Sequence, residues 1–474
     1  MKKTLLCIIC LFPVIFYSPI TAYASSYIST ASPSVILIEK TTGKVLYAKN
    51  EYNRMYPASM TKILTSLVAL DYLHPDDVIV VGPEINGIPA DYVTATHTAG
   101  ESITVRNLIR VLMIRSGNET GRILALNTIR SKLNRQNIPY ENAERLFCDL
   151  MNERAKSLGA LDTHFDNPYG FHSENHYTTA FDLALISRAY MENDTLRLIA
   201  GEAAYEGDSL EGREINGAKT RMYSFINHNQ LLQPGENFYP YATGVKTGFT
   251  DEAGDCLSAS ATKSGIELIA VIFNSKDPGR WQDAKTLFDY GFDRYTFETI
   301  HKQGESMLQA EIANARLGGD DFVDIRAGED AVRFLSKEEL SRMKQEIHYH
   351  EDYVSDDPET MGMLLAPIEK DAVLGTIVYK LDGQVIFEGT VYAAEDVEER
   401  TYDSDMDFRL ASIRENIFSR KAFPYWFGTT GFLIGIIGMG AAISSRRRNK
   451  RDRWAGGPTY KRNDRYRRKG AYKI

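Results

Sequence analysis

The chain has 474 residues, too many for one ordinary domain and suited to two or three. Its 43% hydrophobic and 11% aromatic residues exclude a disordered chain. The net charge of −8 is unevenly spread: residues 446–474 carry thirteen Lys/Arg against two Asp, a net of +11, which leaves −19 on the rest and argues for two compartments.

The N-terminus has the pattern of a secretory signal. Lys2 and Lys3 precede an apolar run from Leu5 to Phe16, and Ala22-Tyr23-Ala24 is a small-x-small cleavage site, so residues 1–24 are expected to be removed. Val35 to Glu39 and Lys44 to Ala48 are β-rich runs joined by Thr41-Thr42-Gly43 and predict a hairpin. After Ser59, the apolar residues Ile63, Leu64, Leu67, Val68 and Leu70 keep helical spacing. A short strand is expected at Val78 to Val81, then helices over Val105 to Ile114, Leu124 to Ile129, Phe147 to Leu158 and Phe181 to Tyr190. Gly159 is a helix-ending candidate. Leu257 to Ser260 and Leu268 to Phe273 predict strands about the turn Lys263-Ser264-Gly265, with a closing helix over Asp283 to Tyr290. A strand pair, a helical middle, then strands and a helix predict an α+β domain over 25–296, with one antiparallel sheet assembled from both ends.

Residues 297–400 are acidic with short alternating strands, such as Thr376 to Leu381 and Gln384 to Glu388 about Asp382-Gly383, and predict a small β-rich domain. In 401–421, Leu410, Ile413, Ile417 and Phe418 share a helical face, which suggests a juxtamembrane amphipathic segment. Residues 422–445 carry no charge and are long enough to span a bilayer as a helix. Arg446-Arg447-Arg448 and the rest of the basic tail, 446–474, then lie on the cytoplasmic side, with the catalytic domain outside. The tail is expected to meet anionic lipid rather than nucleic acid. Cys148 and Cys256 are too few for a disulfide framework; buried free thiols are expected, and one bridge would require them to meet. His348-Tyr349-His350 lacks a third ligand, so no metal is assigned, and no cofactor is called for.

The chemistry is concentrated in Ser59-Met60-Thr61-Lys62. A serine three residues before a lysine at a helix start puts hydroxyl and amine on one face. The spacing alone is weak, since about two such matches are expected by chance in a chain of this length; Ser341-Arg342-Met343-Lys344 is a second. Two further elements raise the first. Ser116-Gly117-Asn118 lies between two helices, and Lys246-Thr247-Gly248 opens the late strands. Ser173-Glu174-Asn175, in a polar loop, is a decoy of the same spacing.

In this order the three elements resemble those of active-site-serine penicillin-recognising enzymes. The chain is similar to the serine-type D-alanyl-D-alanine carboxypeptidases, the low-molecular-mass penicillin-binding proteins of peptidase family S11, over most of residues 30–400. Asn167-Pro168-Tyr169-Gly170, His176-Tyr177-Thr178-Thr179-Ala180 and Gly244 to Thr250 carry the likeness further. The resemblance implies a serine β-lactamase/transpeptidase-like catalytic domain, followed by the family's β-rich domain. It implies Ser59 as nucleophile, Lys62 as its base and Ser116 as proton relay. Asn118, Lys246, Thr247, Gly248, Phe249, Thr250 and Arg280 would bind substrate, with the backbone N–H groups of Ser59 and Phe249 holding the oxyanion. The implied substrates are peptidoglycan stem peptides ending in D-Ala-D-Ala, with β-lactams as covalent inhibitors. Phe249 departs from the polar residue often found there, and Phe171 from the usual leucine. A DD-endopeptidase is the neighbouring alternative; a non-catalytic β-lactam sensor or scaffold is the alternative from another class. His176 is expected to fix a loop or fill the core rather than catalyse.

Overall fold

A computed structural model describes residues 28–89 and 92–418, together with Met439. The signal segment 1–24, the charge-free stretch 422–445 apart from Met439, and the basic tail 446–474 lie outside the described residues. The described chain forms two compact units. The first runs to Glu298 and takes in Phe334–Ser341; the second holds Thr299–Arg333 and resumes at Arg342.

The first unit is built on an antiparallel sheet. Strands β1 (Ser34–Glu39) and β2 (Val45–Lys49) form the expected hairpin. Helix α1 (Lys62–Leu70) follows a short 3-10 turn, Ala58–Thr61. A small ribbon of β3 (Val78–Val80) and β4 (Ser102–Thr104) leads to α2 (Val105–Arg110), α3 (Asn118–Leu133), α4 (Tyr140–Ser157), α5 (Ala180–Glu192) and α6 (Asp194–Ala200). A second ribbon, β5 (Ala204–Asp208) with β6 (Met222–Ile226), precedes β7 (Ala242–Thr250), β8 (Gly254–Lys263), β9 (Ile266–Ser275) and the closing helix α7 (Gly279–Arg294). The sheet order is β2-β1-β9-β8-β7, so the N-terminal hairpin docks beside the last strand made.

Burial on both faces explains why β1 and β9 read as nearly continuous apolar runs. Strand side chains alternate between faces. Ile36, Ile38, Ile269, Val271 and Phe273 enter the core shared with α1, α3, α4 and α5. Val35, Leu37, Leu268, Ala270 and Ile272 enter a second core with Trp281, Leu287 and Phe288 of α7. The result is a sheet between two helical layers, with β7 at its edge.

Three details differ from the sequence reading. The helix expected to Ile114 ends as α-helix at Arg110 and widens into a π turn, Val111–Arg115. An apolar stripe cannot separate the two windings, and π turns recur at functional sites. α6 and the β5–β6 ribbon carried no clear periodic signal, because Glu206, Gly207 and Asp208 are poor strand formers. β7 starts at Ala242, ahead of the Lys246 triplet, which therefore sits in mid-strand.

Strands β10 (Tyr295–His301) and β13 (Ala331–Ser336) pair in a separate small sheet, and α8 (Lys337–Arg342) is a short helix. The second unit holds β11 (Ser306–Glu311), β12 (Phe322–Ala327), β14 (Lys344–Tyr349), β15 (Val373–Leu381) and β16 (Gln384–Ala393), in the order β11-β12-β16-β15-β14. The expected Asp382-Gly383 hairpin joins β15 to β16. Val323, Ile325, Leu374, Ile377, Tyr379 and Val391 fill its core. Helix α9 (Tyr402–Phe418) ends the described run. Among the described residues no helix is long and apolar enough to cross a membrane.

Candidate active site

Ser59 lies on the 3-10 turn and Lys62 is the first residue of α1, so the tetrad straddles a change of winding. Lys62 is fully buried. Its Nζ is 2.9 Å from Ser59 Oγ, 2.8 Å from Asn118 Oδ1 and 2.6 Å from the carbonyl oxygen of Tyr169. Burial holds the Lys62 pKa well below the ordinary lysine value, the charge of Lys246 lowers it further, and Glu119 opposes both.

The turn is fixed by close backbone approach on two sides. A Cβ on Gly170 would lie 1.9 Å from Ala58 O, and Gly170 has φ +91°. A Cβ on Gly248 would lie 2.9 Å from Pro57 O. Only glycine at both places lets the Asn167–Gly170 loop and strand β7 reach the Ser59 turn.

Ser116 ends the π turn in the left-handed region, φ 66°, and Gly117 then opens α3 at Asn118. Asn118 is buried; its backbone N–H and its Nδ2 both donate to Val93 O at 3.0 Å, which turns Oδ1 toward Lys62. Lys246 is 2% exposed and its Nζ donates to Thr247 O at 3.1 Å. Burial, followed by the charge of Arg280, brings Lys246 down to about 7. In β7, Lys246, Thr247 and Gly248 pair with Ser258, Leu257 and Cys256. The Thr250 hydroxyl accepts the Ala253 N–H at 3.1 Å, closing the turn to β8. Phe249 points outward, 59% exposed.

Ser59, Ser116, Asn118, Thr247, Gly248, Phe249, Thr250 and Arg280 all line one open cleft of about 730 Å³. Lys62 and Lys246 are buried side chains rather than lining residues. Arg280, expected to meet a substrate carboxylate, is ion-paired with Asp255 at 2.9 Å and faces Gly248 O at 3.4 Å. It therefore braces the β7–β8 edge from the cleft wall.

The two decoys separate cleanly. Ser341 lies in the last turn of α8 with its hydroxyl on Glu338 O, whereas Lys344 opens β14, so they share no helical turn. Ser173 and Asn175 bond each other in an exposed loop. His176 is buried against Thr61 and Asp166. Cys148 and Cys256 are both free and buried; burial raises both thiols, Cys256 to about 12.

Sequence reasoning missed two cleft residues. Tyr92 packs against Phe171 with the rings tilted by 41° and their centroids 3.9 Å apart, and no motif marks it. His228 stands between two pinned asparagines: Asn227 Nδ2 donates to Glu202 O, and Asn229 Nδ2 donates to Gly244 O. Withdrawal from water and the charges of Lys246, Arg115, Arg280 and Lys62 press His228 down to about 4. The Asn-x-Asn spacing was a usable signal; the partners were not visible in it.

This fold and pairing define a class: α+β proteins of the penicillin-binding and transpeptidase type, with a serine hydroxyl against a buried lysine and a β-rich domain following. Residues 21–277 match the D-alanyl-D-alanine carboxypeptidase family model, and residues 295–399 match that of the penicillin-binding protein 5 C-terminal domain. The chain belongs to the D-alanyl-D-alanine carboxypeptidase family. It is 30% identical over 389 residues to D-alanyl-D-alanine carboxypeptidase DacF of Bacillus subtilis, covering 79% of this chain and 88% of that protein. It resembles penicillin-binding protein 5 of Haemophilus influenzae at 25% identity and TM-score 0.54, over 79% of this chain and 99% of that one. It also resembles the Streptomyces K15 DD-transpeptidase at 29% identity and TM-score 0.51, over 56% and 98%.

Two outcomes follow from the geometry. Gly170→Ala forces Ala58 O to move, and a displacement of about 1 Å at the reacting hydroxyl is expected to slow acylation by benzylpenicillin about 100-fold, read by a mass-spectrometric time course. The resemblance implies Lys62 as the base, and a base must be neutral to take a proton, so acylation is expected to fall as pH drops through the Lys62 pKa. Lys246→Gln removes a charge that depresses that value. The acid limb of the acylation rate is therefore expected to move to higher pH; an unmoved limb counts against Lys62 as the base.

Proposed function

We propose that the chain is a serine-type D-alanyl-D-alanine carboxypeptidase that removes the terminal D-alanine from peptidoglycan stem pentapeptides. Membership of the family supports the activity. The observation that carries the mechanism is the set of three contacts at Lys62 Nζ. Asn118 Oδ1 and Tyr169 O can only accept hydrogen bonds. A neutral amine has two N–H bonds and one lone pair. The N–H bonds go to those two oxygens, which leaves the lone pair facing the Ser59 hydroxyl.

From there the steps balance. Lys62 takes the Ser59 proton as Oγ bonds to the carbonyl carbon of the penultimate D-alanine. The carbonyl electrons move onto oxygen, stabilised by the backbone N–H groups of Ser59 and Phe249. Collapse of that intermediate breaks the peptide bond, and Ser116 relays the proton held on Lys62 to the departing D-alanine nitrogen, which leaves Lys62 neutral again. Asn118 holds the donor peptide, while Lys246, Thr247, Thr250 and the field of Arg280 receive the terminal carboxylate. Water then adds to the acyl carbon as Lys62 takes one of its protons; the ester bond to Ser59 breaks, the shortened peptide leaves, and the proton returns to Ser59 Oγ. β-lactams acylate the same hydroxyl. The loop from Asn167 to Tyr177 offers only Glu174 as an acidic water activator, in an exposed position, so the penicilloyl adduct is released slowly.

The leader and the charge-free stretch place this enzyme at the outer face of a cell membrane. Residues 422–445 span once, the basic tail is cytoplasmic and near anionic lipid, and α9 lies beside the bilayer.

Two experiments test these readings. Intact-mass analysis of the full chain after benzylpenicillin is expected to show a persistent single adduct that Ser59→Ala abolishes. An adduct on the variant, or none on the wild type, would falsify the role of Ser59. Free D-alanine release from a peptide ending in D-Ala-D-Ala identifies the carboxypeptidase; cleavage of cross-linked dimers without such release identifies an endopeptidase instead. For the anchor, the full chain is expected to stay with membranes after alkaline carbonate washing and to lose them when truncated after residue 400. Retention of the truncated chain would remove the single-span reading.

A further inference from the structure

The nucleophile turn depends on a carbonyl that nothing in the reaction uses. Ala58 has φ 47°, a left-handed conformation that costs an alanine about 1 kcal/mol, so the turn must be held from outside. Its carbonyl oxygen abuts Gly170 and also accepts the Thr61 hydroxyl at 2.8 Å.

Thr61 Oγ1 is in turn 2.8 Å from His176 Nε2. A carbonyl only accepts, so the hydroxyl proton goes to Ala58 O, and the contact with the ring requires a proton on Nε2. This holds in either ring state. In the neutral ring, bare Nδ1 accepts from the Asp166 N–H at 3.2 Å and from Asn167 Nδ2 at 3.3 Å. In the charged ring, the second proton goes to Asp166 Oδ1 at 3.0 Å. His176 itself is 2% exposed and is not among the residues that line the cleft.

The far side of this chain of bonds is the loop that also serves Lys62. Asn167 Oδ1 accepts the N–H groups of Gly170 at 2.7 Å and Phe171 at 3.0 Å. Tyr169 O accepts from Lys62, and Pro168 O accepts from the Thr65 hydroxyl at 2.6 Å. Ser59 and Lys62 are thus set by one loop, through separate bonds.

We infer that His176 is a positioning residue for Ser59: it acts through the Thr61 hydroxyl on Ala58 O and clasps the nucleophile turn to the Asp166–Phe171 loop. The inference rests on Ser59 being the nucleophile. Gly170 and Phe171, the part of this loop that lines the cleft, are still held by Asn167 Oδ1 when the clasp is lost, so the first, non-covalent binding of a β-lactam is expected to be unaffected. The rate constant for covalent capture falls, because the hydroxyl is no longer held at attack distance.

The test is acylation of the full chain by benzylpenicillin over a range of concentrations, followed by intact mass. This separates the dissociation constant of the encounter complex from the acylation rate constant. Thr61→Val and His176→Ala are each expected to lower the rate constant about 10- to 100-fold with the dissociation constant unchanged. Thr61→Val/His176→Ala is expected to be no slower than the slower single variant, since both cut the same chain of bonds. Thr61→Ser, which keeps the hydroxyl, is expected to restore capture, and its comparison with Thr61→Val remains decisive if His176→Ala unfolds. Additive losses, a Thr61→Ser variant as slow as Thr61→Val, or wild-type rates in the single variants overturn the clasp. An unmodified wild type would instead remove the Ser59 reading.

Discussion

The structure turns on the burial of a single amine. Placing Lys62 out of water costs several kcal/mol unless every hydrogen-bonding direction is met. The three hydrogen-bond partners come from three stretches of chain: the 3-10 turn at Ser59, the head of α3 at Asn118, and the loop at Tyr169. Each brings its own requirement. α3 must start where it does, which the left-handed Ser116 arranges after the π turn. The loop must reach the turn, which Gly170 permits. β7 must pass close on the other side, which Gly248 permits. Satisfying one amine therefore fixes the relative positions of a turn, a helix, a loop and a strand, and those positions form the cleft.

Charge in the site is layered. Lys62, Lys246 and Arg280 lie at or below the cleft floor, while Asp251 and Glu252 stand at its exposed rim. Burial lowers both lysines first; the charge of Lys246 then lowers Lys62 and that of Arg280 lowers Lys246, so neither behaves as an ordinary surface ammonium. Arg280 keeps its charge through Asp255 and so works as a fixed source of positive potential. The −19 carried by residues 1–445 is consequently no guide to the local field at Ser59.

What the sequence made legible was local chemistry and strand polarity. Ser59, Lys62, Ser116 and Asn118 could be read because each sits at a helix boundary, where spacing and capping leave a trace. The sheet drawn from both ends could be read because β1 and β9 are apolar at nearly every position. The tetrad at Ser341 shows the limit of spacing: its lysine opens a strand, so identical residues make no pair. Arg280 shows another limit. Its place near the cleft was inferable, but its pairing with Asp255 depends on how α7 packs against β8, which no single segment encodes. The β5–β6 ribbon stayed hidden because it is held by Tyr205 packing on Tyr223 rather than by an alternating pattern. His228 stayed hidden because its position comes from the anchoring of its two neighbours.

The pairing of β1 with β9 also governs when the site can exist. Ser34 lies opposite Phe273, and the Ser59 turn packs against the Gly248 strand, so residues made first wait for residues made some two hundred positions later. Contacts of such separation carry a loop-closure cost and form late. A chain whose last strands have not yet been made has its serine and lysine in sequence but no cleft around them. The Ser59–Lys62 pair is therefore set in its cleft only once the last strands of the sheet have arrived.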